Sequence, residues 1–331
     1  HSMREQKMAS YILLKLKSKG QAADLSGLRT IPDYTDQMLT QMKDEGKIYW
    51  VPTTVSAFGL YCNEDLLKKH KQKTPGNLKE WESVCSYFTK KGITPVICNN
   101  DISLKTLAVG RGFYSVYQQN NQKQVFENLN NGKEKLSRYL TPGFDLAQSL
   151  IQQGYIDPDK SLKTEKTSDD LEEFAKGKSP FMLTGAWAAG RVKTMNPDLK
   201  FSVSPLPLLE NGSMLVVNAD TRLSVNADSR HVKAAEMFVE YFTQAENIQK
   251  FSDQQCSFSP LKGGKSSSVE EIRPLLSCYK DGKTVIGTDS MLKLPIWNLT
   301  AEASKQILSG KPVRSVMNRM DLQAEKERKV Q

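Results

Sequence analysis

The sequence is poor in the residues from which catalytic and metal centres are built. It holds three histidines. His1 lies with Ser2 ahead of Met3 in what reads as a cloning remnant, His70 sits in a lysine-rich stretch, and His231 falls in the first turn of an expected helix. Neither internal histidine has a neighbouring Ser, Cys or Asp arrangement from which a hydrolytic triad is assembled. Five cysteines, Cys62, Cys85, Cys98, Cys256 and Cys278, form no CxxC pair and have no histidine at metal-ligand spacing, which argues against zinc and iron–sulfur sites. Free buried thiols are expected, with a Cys256–Cys278 disulfide as the alternative for an exported chain. A GxxxxGK[ST] loop is missing, and Gly110-Arg111-Gly112 lacks the third glycine and the strand-before-helix setting of a dinucleotide site, so no cofactor is expected. No stretch approaches the roughly 20 apolar residues of a membrane-spanning helix. No charged region, apolar core and cleavage site follow Met3, so any export signal is expected to have been removed or never cloned. Internal repeats and low-complexity tracts are missing too.

What is present is an ordinary globular composition, 331 residues with 38% hydrophobic and 25% charged side chains, enough for two domains that each bury a core. The net charge of +9 is spread along the chain and reads as solvated surface, not as a nucleic-acid footprint. Its densest block, Lys68-Lys69-His70-Lys71-Gln72-Lys73, precedes Pro75 and reads as an exposed loop. The mixed-sign Glu325–Lys329 end reads as frayed.

Helical and strand-like segments alternate, an α/β pattern. One helix is expected from Asn77 to about Lys91, with Asn77 as N-cap, Glu80 three residues later, and Leu78, Trp81, Val84, Cys85 and Phe88 on one face. Gly92 ends it, and Ile93–Cys98 reads as a buried strand running into the polar Asn99-Asn100-Asp101. A second helix is expected from Ser229, with Val232, Ala235, Val239 and Phe242 facing inward. Between them lie helices around Gly143–Gln153 and Asp169–Lys176 and a strand over Phe201–Pro205. The carboxylate pairs Asp169-Asp170 and Glu172-Glu173 read as a solvated helix face, since adjacent helical residues point in different directions and cannot flank a glycosidic bond.

The residue that stands out is Trp187, in the small-residue turn Gly185-Ala186-Trp187-Ala188-Ala189-Gly190 after the apolar Pro180-Phe181-Met182-Leu183. Small neighbours leave an indole face uncovered, a stacking platform for a sugar or a base. Simple core filling is the alternative.

Taken in order, Gly46-Lys47-Ile48-Tyr49-Trp50-Val51-Pro52, Gly59–Leu67, Lys91-Gly92-Ile93-Thr94-Pro95, Phe181–Trp187, Leu223–Phe242, Ser259-Pro260-Leu261 and Ala303–Lys311 resemble the extracellular solute-binding proteins of sugar ABC transporters, the maltose-binding protein type. The resemblance covers most of the chain. It implies a periplasmic-binding-protein-like (type II) α/β fold of two lobes, residues 3–97 plus 222–271 and 98–221 plus 272–331, which close by hinge bending over a sugar in the cleft. Crossovers are implied near Ile97–Asn99, Asn218–Arg222 and Ile272–Pro274. Trp187 matches the family's cleft tryptophan, Trp297 another cleft aromatic whose helix could equally turn it into the core, and Ser56 a polar ligand contact or a capping hydroxyl. Asn99, Asn100, Asp101, Asp220 and Arg222 sit at the implied crossovers, where some should meet ligand. The implied role is carbohydrate binding without catalysis, outside the cell, with permease subunits as partners and a lipid anchor in the full-length form. A scaffold protein on the same fold or a glycan-processing enzyme are the alternatives.

Three departures matter. Cys62 replaces a common second tyrosine, and Leu78 stands where the family often has Trp, the indole coming at Trp81. Ala9–Leu25 resembles the piece after the family's opening βαβ unit, so the first lobe is expected to be N-terminally truncated, with an exposed apolar face that a swapped or self-associated dimer would cover.

Overall fold

The computed structural model describes residues 20–165 and 168–330. Most of the segment Ala9–Leu25 thus lies outside the described residues. The chain divides into two compact units, one of His1–Ser56 and Asn218–Ser268, the other of Ala57–Val217 and Val269–Gln331. Nine strands are described: β1 (Lys43–Asp44), β2 (Lys47–Ile48), β3 (Val51–Asn63), β4 (Val96–Ile97), β5 (Phe181–Gly185), β6 (Phe201–Ser204), β7 (Leu206–Leu209), β8 (Gly212–Leu223) and β9 (Thr284–Ile286). Apart from the β1–β2 hairpin, they order as β4-β5-β3-β8-β7, with β6 also on β3 and β9 on β8.

The first crossover is not where the sequence placed it. Val96 and Ile97 form β4, paired in parallel with Phe181 and Met182 of β5, so the Ile97–Asn99 region belongs to the interior of the second unit. The chain changes unit within β3, between Ser56 and Ala57. The other two changes fall between Val217 and Asn218 and between Ser268 and Val269.

In the second unit, β3 is the hub. It pairs antiparallel with β5, from Phe58↔Gly185 to Cys62↔Phe181, and with β6 from Leu60↔Ser204 to Asn63↔Phe201. A strand flanked on both sides has no edge and both faces covered, which is why all thirteen residues of β3 are buried. Against this sheet lies the Leu78–Lys90 helix, capped as expected, with Asn77 Oδ1 accepting the Glu80 N–H at 2.9 Å and Trp81, Val84, Cys85 and Phe88 buried. The Leu136–Gln152 helix begins seven residues before the expected Gly143 and carries Pro142 inside it. Its first turn is held from outside, because Asp321 accepts the Ser137 N–H at 3.1 Å and so satisfies a donor that a short helix would leave orphaned. Gly143 lets this helix touch the Ile102–Gln118 helix backbone to backbone: a Cβ there would lie 2.3 Å from the Ala108 Cα.

Two further expectations are corrected here. The helix Val313–Val330 runs through the mixed-sign end expected to fray, and Arg328 Nε donates to the Leu129 carbonyl at 2.9 Å. Asp170, expected on a solvated face, has no exposed surface. All five cysteines are free and buried. Among the described residues no helix is long and apolar enough to cross a membrane.

The first unit packs Leu25, Tyr34, Met38, Met42, Ile48, Val51, Ile248 and Phe258 into its core, and Tyr34 OH donates to the Pro52 carbonyl at 2.8 Å. Its Val232–Phe242 helix starts three residues after the expected Ser229. Of the expected inward face only Val239 is buried, while Met237, Phe238 and Tyr241 are 73%, 57% and 62% exposed. This helix is apolar around most of its circumference, so spacing does not single out one buried face.

Candidate functional site

The second unit holds an aromatic group assembled by β3, β5 and the Ile296–Leu308 helix. Phe58 on β3 faces the end of β5, where the strand stops at Gly185 and the chain turns through Ala186–Ala188 into the Ala189–Met195 helix. Trp187, in that turn, folds back over Gly185: a Cβ on Gly185 would fall 2.2 Å from Cη2 and Cζ3 of the indole. The ring therefore occupies the space that the missing side chain vacates. Phe58 meets it edge-on, with centroids 5.1 Å apart and planes at 84°. Tyr61 OH donates to the Gly185 carbonyl at 2.8 Å and anchors the turn. Trp187 stays half-buried among neighbours that are otherwise buried.

Trp297 joins the same group but not as a second open platform. It is 7% exposed, tilted against Phe58 at 5.2 Å, and has the Lys105 ammonium 4.2 Å from its ring centroid. Lys105 is fully buried and paired at 2.6 Å with Asp101, one helical turn away at i−4. A charge taken out of water needs such a partner, and the aromatic face supplies a second attraction. Trp297 thus turns into the core, as its helix allowed, and supports Phe58 and through it Trp187.

The polar residues after β4 divide by role. Asn99 is almost wholly buried and its side chain is consumed internally: Oδ1 accepts from the Asp101 and Ile102 amides at 3.1 and 2.7 Å, and Nδ2 donates to Asp170 Oδ2 at 3.0 Å. Its Oδ1 thus satisfies the amides at the start of the Ile102–Gln118 helix. Asp170 also accepts from the Ser168 and Leu171 amides. Burial pushes its carboxyl above the usual range, against these bonds, which pull it down. Asn100 donates to the Leu162 carbonyl at 3.0 Å, and Asp101 is held by Lys105.

In the first unit, Ser56 is buried and its hydroxyl makes no hydrogen bond to any described residue, so it caps nothing. Asp220 and Arg222 flank Thr221, a β-branched residue at φ 45°. Asp220 Oδ1 accepts the Thr221 N–H at 2.8 Å, and Thr53 Oγ1 donates to the Thr221 carbonyl at 2.7 Å. Arg222 is exposed and its guanidinium lies 3.8 Å over the centroid of Trp50, itself 7% exposed. Phe58, Lys105 and Trp50 were not foreseen as site residues. The i, i+4 spacing of Asp101 and Lys105 was a readable signal, whereas nothing local marks Phe58 or Trp50.

Among the described residues no cluster of His, Cys, Asp and Glu could hold a metal ion. What the second unit offers is a rigidly seated, half-open indole.

Residues 8–266 match the family model of the bacterial extracellular solute-binding proteins. The multiple sugar-binding protein of Streptococcus mutans is 25% identical over 264 residues, 76% of this chain and 60% of that protein. The maltodextrin-binding protein MdxE of Bacillus subtilis is 24% identical over 310 residues, 89% of this chain and 70% of that protein. The chain thus spans about 60% of the length of the Streptococcus mutans relative. A solved family 1 extracellular solute-binding protein from Bifidobacterium longum subsp. infantis shares the fold, with a TM-score of 0.76 at 18% identity, covering 94% of this chain and 82% of that one. With more than half its length matched by the family model, the chain belongs to the bacterial extracellular solute-binding proteins.

Proposed function

We propose that this chain is the substrate-binding component of an ABC transporter, which binds a carbohydrate outside the cell and hands it to permease subunits, held at the surface by a lipid anchor in its full-length form. The observation that carries the reading is the setting of Trp187, half-open, seated on Gly185 and braced edge-on by Phe58. A pyranose presents one face of C–H groups, and a fixed indole offers it apolar contact without an entropic cost of ordering the ring. The printed activities of the two curated relatives, multiple sugar and maltodextrin binding, support a carbohydrate as the solute. Binding, not chemistry, is the assigned activity. The carboxylates near the aromatic group, Asp101 and Asp170, are engaged with Lys105 and Asn99, an arrangement unlike the free acid and base pair that glycoside cleavage uses.

The test is a thermal-shift screen against neutral and acidic mono- and oligosaccharides, since a ligand that binds only the folded state raises the melting temperature. A specific rise is expected, and Trp187→Ala should weaken that ligand by roughly 1–3 kcal/mol, the range for loss of an aromatic stacking partner. Unchanged affinity with lost stability would make Trp187 core and remove the proposed platform. A screen in which no carbohydrate shifts the transition would turn the reading toward another solute or a scaffold role.

A further inference from the structure

We infer that the exposed apolar stripe on the Val232–Phe242 helix is a docking surface for residues 9–16 of the same chain, which lie outside the described residues. The inference is independent of which solute the protein binds.

The stripe is regular. Ala234, Met237, Phe238 and Tyr241 are all exposed and stand at i, i+3, i+4 and i+7, the spacing of one helix face. Phe238 also ends a row of rings, with its centroid 5.9 Å from Phe242, which in turn lies 5.2 Å from Phe251 of the Ala245–Gln254 helix. Single exposed apolar residues are ordinary on a protein surface, but four in register with an aromatic row beside them form a contact face.

The course of the chain into Gly20 identifies what reaches that face. The Ala227 N–H donates to the Gln21 carbonyl at 2.7 Å and the Ala23 N–H to the Val225 carbonyl at 2.9 Å, around an antiparallel bridge between Ala22 and Asn226. Antiparallel pairing sends the chain upstream of Gln21 the same way as the chain downstream of Ala227, which enters the striped helix at Val232. Gly20 has φ 69°, the left-handed conformation found just past the end of a helix. Ahead of it, Ala9, Ile12, Leu13 and Leu16 repeat the i, i+3, i+4, i+7 spacing of the stripe. From Leu16 to Gly20 the chain can span about 14 Å, and the striped helix is roughly 16 Å long, so the segment reaches the stripe from its own attachment point. Residues 8–266 match the family model, which places this segment in the matched body of the chain.

A second copy of the chain is the competing occupant. A stripe one helix wide offers on the order of a few hundred Å², short of the roughly 800 Å² that each partner of a stable interface buries. A segment tethered beside the stripe needs no such area, because its effective concentration there is already high.

The experiment uses the whole chain. A benzophenone side chain placed at Leu13 and irradiated in dilute solution should cross-link within one chain, with the adduct mapped by mass spectrometry to Val232–Phe242. Phe238→Asp, harmless on a bare surface, should lower the melting temperature by roughly 3–12 °C, as should Leu13→Asp. In a milder cycle, Leu13→Ala and Phe238→Ala should each lower it, and the double variant should lose clearly less than their sum. Light scattering should give a monomer throughout. Adducts elsewhere or between two chains, an unchanged melting temperature in Phe238→Asp, or additive losses in the alanine cycle would overturn the inference. A dimer that dissociates in Phe238→Asp and persists in Leu13→Asp would overturn it too, and would assign the stripe to a second copy.

Discussion

Replacing Gly185 with alanine tests the Trp187 platform without touching the tryptophan. Gly185 has φ −69° and ψ 141°, an extended conformation open to any residue, so Gly185→Ala brings no backbone penalty. The whole obstacle is the indole. The new methyl would lie 2.2 Å from Cη2 and Cζ3 and 2.4 Å from Cε3, where ordinary contact begins near 3.4 Å, so the ring edge must retreat by roughly an ångström or more. Because Trp187 is half-open it can swing outward, and it then forfeits its edge-on contact with Phe58, worth about 0.5–1.5 kcal/mol. With residual crowding the expected loss is about 1–3 kcal/mol, or roughly 2–4 °C in Tm for each kcal/mol in a unit of this size. Calorimetric titration with the carbohydrate that stabilises the wild type should show affinity falling about as far as in Trp187→Ala, since a displaced ring and an absent one are equally useless as a stacking face. The double variant separates causes: with Trp187 already alanine, Gly185→Ala should add almost no loss of stability, the non-additivity expected of residues in direct contact. Wild-type affinity and stability in Gly185→Ala, or additive losses in the double variant, would refute the geometry and the platform with it.

Gly143→Ala should destabilise the chain by about 3 kcal/mol, because its methyl meets the Ala108 Cα at 2.3 Å and two helix backbones must part; urea denaturation that shows no shift in midpoint would contradict this packing. The fully buried Cys62 and Cys98, whose thiols desolvation pushes up to about 12, should resist Ellman's reagent at pH 8 in the folded chain and react once it is unfolded. Rapid native labelling of either would show that the packing around it opens.

The parts of the fold legible in the sequence were those governed by local chemistry. Asn77, Glu80 and the spacing of Trp81, Val84, Cys85 and Phe88 located a helix to within a residue, because capping and amphipathicity are short-range properties. Where a distant partner decides the outcome, local reading failed. The helix expected around Gly143 starts at Leu136, and only Asp321, far along the chain, satisfies the Ser137 amide in its first turn. Asp170 looked solvated beside its acidic neighbours, and only Asn99, seventy-one positions away, reveals why it is buried. The Ile97–Asn99 crossover failed for the same reason, since the parallel pairing of β4 with β5 bridges more than eighty residues, and no spacing within β4 announces it.

The two site tryptophans show the distinction most directly. Trp187 and Trp297 both match cleft aromatics of the family, and the small-residue turn around Trp187 already ranks it above Trp297, whose helix could turn it inward. Their fates diverge through what lies across from them. Trp187 meets a residue with no side chain, which seats the ring and leaves it half-open, whereas Trp297 meets a buried ammonium that Asp101 fixes against its face. A cation at 4.2 Å covers a π-face of Trp297, so the same residue type stays half-open in one place and becomes a brace in the other. The aromatic group therefore works as a chain of supports, Asp101 to Lys105 to Trp297 to Phe58 to Trp187, with its half-open surface concentrated at its last member, the proposed ligand contact.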